Sequence, residues 1–224
     1  MAELAPDENE DPAAQLLRLG GLKIQYFHDA IRAGEGDRRA CTSDDPKNAP
    51  GSRDYFARMR TLRQRLRKEL QWKPFDLSNL LPLVVNPDKT LAIGVVLGDA
   101  YTGVPGPRHP RSKRPLGEIK QGLVEQNRQG ALFDLPAGPN EAVLTDDELA
   151  DLETYFLVTH RRVTNDKVIV QCEVSKAVEL DPQNYAFRWR PRICLPPLEF
   201  EGVIDYIEGT DDGPTEFEVH IDEH

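Results

Sequence analysis

Apolar positions along the chain follow two rhythms. Between residues 53 and 71, Tyr55, Met59, Leu62, Leu66 and Leu70 recur at steps of four, three, four and four. That spacing lines one face of an α-helix. Ser52 is a natural N-cap before it, and Pro74 ends it. Farther on, the run 80–85 is short and apolar, 90–97 (TLAIGVVL) and 167–178 (KVIVQCEVSKAV) are rich in β-branched residues, and 185–195 (YAFRWRPRICL) is a further strand-like run. They predict strands. Val168, Val170, Cys172 and Val174 alternate, so they share one sheet face, and Pro191 puts its run at an edge or a bulge.

Other segments are less regular. Leu16, Leu19, Ile24 and Phe27 give 15–32 a partial helical spacing, weakened by Gly20-Gly21. Residues 33–52 are crowded with Gly, Pro, Asp and Ser, which predicts a linker. The Pro-rich stretch 101–115 and the stretch 129–140 read as loops, and 116–128 as a short strand followed by a helix. Thr145-x-x-Glu148 is a capping box opening a helix that carries Leu149, Leu152 and Phe156, although Tyr155 to Val163 is also strand-like. Together these predict an α+β fold: a small mixed sheet packed with helices over 53–200. A largely flexible 1–52 and an acidic 201–224 flank it.

Composition narrows the setting. No apolar run approaches the ~20 residues that span a bilayer. The first ten residues hold four acids and no base, unlike a secretory leader. The expected location is the cytoplasm. Cys41, Cys172 and Cys194 are far apart with no Cys-x-x-Cys pair, so they read as core thiols, not as zinc ligands or a disulfide framework. Charge is placed unevenly. The net is −10, yet 51–75 holds eight bases against two acids, and from Ile193 onward there are ten acids and neither Lys nor Arg.

Three patterns carry candidate chemistry. The basic helix, with Arg58, Arg63 and Arg67, and the loop bases Arg111, Lys113 and Arg114 offer two phosphate-binding stretches, 53–68 and 108–114. Gln129-Gly130-Ala131-Leu132-Phe133 has a Gln, two variable positions, an aliphatic and a Phe. It resembles the short peptide by which bacterial polymerases and repair proteins dock on the sliding clamp. The resemblance implies that Leu132 and Phe133 fill an apolar pocket while Gln129 fixes orientation. Pro87-Asp88, Asp99 and Glu118-Ile119-Lys120 resemble the PD-(D/E)xK nuclease superfamily. There the resemblance implies Mg2+ held by Asp88 or Asp99 with Glu118, and Lys120 positioning water. The leading expectation is a non-catalytic interaction protein beside nucleic-acid machinery. It would use a protein partner and no cofactor. A metal-dependent nuclease is the alternative.

Overall fold

Two helices precede the one that the apolar stripe predicts. The computed structural model describes residues 10–78, 80–129 and 151–202. Helix α1 (Pro12–Gly20) opens at Asp11, whose carboxylate accepts from Ala13 N at 3.3 Å, with Pro at the first position, where no N–H is needed. Gly21 closes it in the left-handed conformation at φ 70°, donating to Leu17 O at 2.8 Å. The Gly pair therefore divides two helices instead of softening one.

Helix α2 (Ile24–Arg39) runs straight through Gly34 and Gly36, so the first part of the expected linker is helical. The physical reason lies at Gly34. A Cβ there would sit 2.6 Å from Arg58 Cγ and overlap Asp54 Oδ1, so glycine lets α2 approach helix α3 (Ala49–Leu70) closely. Leu16, Leu22, Phe27, Ala30 and Ile31 join Met59, Leu62 and Leu66 of α3 in one buried cluster. Residues 12–39 therefore belong to the core and correct the expected flexible region. Helix α3 begins at Ala49, ahead of the Ser52 cap, and is closed by Gln71 at φ 63°.

The sheet follows chain order: β1 (Lys73–Leu77), β2 (Leu81–Val85), β3 (Leu91–Leu97), β4 (Glu153–Val163), β5 (Lys167–Leu180) and β6 (Ala186–Glu201). All neighbours are antiparallel except β3 and β4, which are parallel. A parallel pair needs a crossover, and helix α4 (Glu118–Gln129) lies on it. Residues 116 and 117 form no strand before α4. Phe156 lies on β4 and not on a helix, and the capping box 145–148 falls outside the described residues.

Period-two alternation sorts the sheet into two faces. Val84, Ile93, Val95, Leu157, Val168, Val170, Cys172, Val174, Ile193 and Leu195 face α1 to α3. On the other face, Leu81, Leu83, Val85 and Ala92 pack with Leu123 of α4 and Leu152, while Val96, Phe156, Val158 and Trp189 form a third cluster with Val124. The result is one α+β domain with helices on both sides of a six-stranded mixed sheet. No helix among the described residues is long and apolar enough to cross a membrane.

Candidate functional site

Helix α3 crosses the sheet so that its middle lies over β1 and β2. Its Arg63 ties it down there: Nε donates to Leu83 O at 3.0 Å, and Nη2 donates to Phe75 O at 2.8 Å and Asp76 Oδ1 at 2.6 Å. Along this seam runs a groove of about 500 Å³. Phe56, Met59, Arg60, Gln64 and Arg67 line it from α3, opposite Pro74, Asp76, Leu80 and Pro82 of the hairpin. Met59 is buried, whereas Phe56 is 58 % and Leu80 65 % exposed. Two large apolar side chains are thus left in water on facing walls of one groove, with arginines between them.

A second cluster lies beneath the N-terminal half of α3. Arg58 is 1 % exposed and pairs with Asp54 one turn back, Nη2 to Oδ2 at 2.7 Å, while its Nη1 donates to the Thr159 hydroxyl on β4. Beside it, buried Glu35 accepts from Arg39 Nε at 2.8 Å and from Arg161 Nε at 3.0 Å. Burial alone raises the Glu35 carboxyl, but the hydrogen bonds from Arg161 and Arg39 outweigh it and hold it below the usual carboxylate range. Burial pushes Asp54 upward against the pull of Arg58 and Arg38. This lattice joins α2, α3 and β4. Its acids are enclosed by cations and structural bonds, so its role is orientation.

The Pro-rich loop 99–115 is fastened across the sheet. Arg192 on β6 donates to Arg108 O at 2.9 Å, Val104 O at 3.1 Å and Tyr101 O at 3.3 Å, and pairs with fully buried Glu173 at 2.6 Å. Glu173 also accepts from Gly103 N at 2.8 Å. A Cβ at Gly103 would lie 2.7 Å from Cys172 O, so the loop backbone rests directly on β5. Trp189 donates Nε1 to Pro110 O at 2.7 Å, and its backbone N–H donates to His109 Nδ1 at 3.0 Å. Burial first, and then Arg192 and Arg190, push His109 below its ordinary value, which suits its acceptor role.

The predicted site residues land differently from one another. Arg58 is a core ion-pair partner, not a phosphate ligand, and Arg63 is spent on the β1–β2 hairpin. Arg67 is exposed and lines the groove. Arg111 is held by Asp181 at 2.7 Å and lies 3.4 Å over the Tyr185 ring. Lys113 is exposed and Arg114 half-buried. Asp88 sits in the β2–β3 turn and Asp99 just past the other end of β3. Glu118 and Lys120 are on a helix, not a strand. Two positions apart, they diverge by about 200° around its axis. The four nuclease candidates therefore do not converge. Gln129 is the last residue of α4, and Leu132 and Phe133 lie outside the described residues. Cys41 and Cys172 are buried, and burial pushes the Cys172 thiol up to about 12, as expected of a core cysteine, whereas Cys194, read as a core thiol, is only half-buried.

Sequence reasoning missed Phe56 and Leu80. Phe56 falls one position off the stripe of Tyr55 and Met59, and Leu80 follows the turn after β1, so both were open to identification as apolar residues out of register. Comparison with protein-family models, with curated proteins and with solved structures gives no match.

Proposed function

We propose that this is a non-catalytic interaction protein that holds an apolar and acidic segment of a protein partner in the groove between α3 and the β1–β2 hairpin, working beside nucleic-acid machinery. The observation that carries this reading is the exposure of Phe56 and Leu80 on facing walls with Arg60 and Arg67 on the rim. Apolar anchors supply affinity when they enter such a cleft, and the rim charges select an acidic partner. The link to nucleic-acid machinery rests on the clamp-like peptide 129–133 and on the basic bias of 51–75.

Two measurements test the proposal. A displayed peptide library panned on the protein should enrich segments with paired apolar residues flanked by Asp or Glu, and Phe56→Asp should abolish their binding. Enrichment that ignores Phe56→Asp, or none, rejects the groove. Binding of the purified protein to a bacterial sliding clamp should disappear in a Leu132→Ala/Phe133→Ala variant. Absence of clamp binding in the unaltered protein removes that partner.

A further inference from the structure

The groove has a candidate occupant within the chain itself. Residues 203–224 hold eight acids and neither Lys nor Arg. Near their end runs Thr215-Glu216-Phe217-Glu218-Val219-His220-Ile221-Asp222-Glu223. In an extended segment alternate side chains share a side, so Phe217, Val219 and Ile221 form an apolar edge among carboxylates. That matches the groove in kind: apolar anchors for Phe56 and Leu80, and carboxylates for Arg67, which pairs with no acid among the described residues, while Arg60 already holds Asp37.

The described chain also ends in a suitable place. Gly202 at the end of β6 accepts from Arg39 Nη2 at 3.1 Å through its carbonyl, which fixes the exit beside the last turn of α2. Two residues earlier on α2, Asp37 pairs with Arg60 at 3.0 Å, and Arg60 lines the groove. From exit to groove the path is two side-chain pairs and half a helical turn, on the order of 25 Å. The 14 residues between Gly202 and Phe217 reach about 45 Å when extended. The tether is long enough to pass from β6 to the opposite edge of the sheet, where the hairpin lies.

Resting on the reading of the groove given above, we infer that residues 216–223 of the same chain occupy the groove between α3 and the β1–β2 hairpin, so that an outside partner must displace them. An intramolecular segment competes at an effective concentration near the millimolar range. A tail that binds weakly as a free peptide therefore suffices to mask the groove. Rim pairing with arginines makes the masking sensitive to salt.

The test uses the full chain and a fluorescein-labelled peptide of residues 211–224 as probe. With Phe217→Ala/Val219→Ala/Ile221→Ala in the protein, the probe should bind about tenfold more tightly than to the unaltered protein. Phe56→Asp added to that variant should remove binding. In parallel, Leu80→Cys with Val219→Cys, in a Cys194→Ser background, should form an intramolecular cross-link with a short bis-maleimide. A control pair of Glu179→Cys with Val219→Cys should not. Equal probe affinity for the altered and unaltered tails, or equal cross-linking to both positions, overturns the inference. Cross-links that appear only between molecules also overturn it, because the occupant is then a second copy. Library peptides that still bind the groove with unchanged affinity in the tail variant would overturn the tail alone and leave the groove reading standing.

Discussion

Glu35 shows how much a single buried acid organises here. It is 1 % exposed and accepts from two arginines on different elements, Arg39 of α2 and Arg161 of β4. Its carboxyl is held below its ordinary value, so the folded state binds a proton less readily than the unfolded chain. The stabilisation is fully present above the unfolded value of about 4.3 and is lost as pH falls through the lower folded value. Glu35→Gln should cost about 2 kcal/mol at neutral pH. The gap to the unaltered protein should narrow on acidification below the carboxylate range. Urea midpoints taken from pH 7 to pH 3 measure this, and a gap independent of pH would contradict it. Gly34 is the other sensitive residue, because an added Cβ overlaps Asp54. Gly34→Ala raises helix propensity, yet overcrowding should win and destabilise the fold by ~1–3 kcal/mol in the same unfolding experiment.

At the scale of elements, the densest tie on the loop 99–115 is one fork of hydrogen bonds from Arg192. Arg192 reaches four loop carbonyls and the buried Glu173 at once, geometry that a planar guanidinium provides and an ammonium does not. Arg192→Lys keeps the charge but should release the loop. Amide exchange at Gly103 and proteolysis after Arg108 should accelerate, while β2 and β3 keep their protection. Unchanged exchange at Gly103 would show that Trp189 and His109 hold the loop without Arg192. This element also marks where sequence stops being legible. The strands were readable because β-branched alternation survives burial on one face, as at Val168, Val170, Cys172 and Val174. The loop was not, since its order comes from partners about 70 to 90 residues away on β5 and β6. The segment 33–39 looked like a linker because glycine's role there, close helix contact, resembles its role in turns. Arg58 was hidden by type, although its steps of four to Asp54, Leu62 and Leu66 place it on the buried stripe. For the candidate groove, Arg67 was singled out in advance, but the apolar walls appear only once α3 is set against the hairpin.

Across the whole molecule, the charge asymmetry takes on a different meaning once pairs are assigned. Helix α3 carries seven bases between Arg53 and Lys68. Five of them face an acid: Arg53 with Asp45, Arg58 with Asp54, Arg60 with Asp37, Arg63 with Asp76, and Arg65 with Asp29. Only Arg67 and Lys68 pair with no acid among the described residues. A phosphate tract gains affinity by replacing counterions with cations that are free to approach it, and each such contact adds about 0.9 to the slope of log affinity against log salt. Seven free bases would give α3 a contribution of about 6, and two would give about 2. Duplex DNA titrations between low and physiological salt should therefore show that Arg67→Ala/Lys68→Ala lowers the slope by about 2, whereas Arg60→Ala/Arg65→Ala lowers it by less than 1. Equal effects of the two variants would mean that the acids let go of their arginines when DNA arrives, and that α3 is a phosphate surface after all. Unequal effects leave a nearly neutralised helix whose exposed Phe56 and free Arg67 are better suited to a protein segment than to a nucleic-acid backbone.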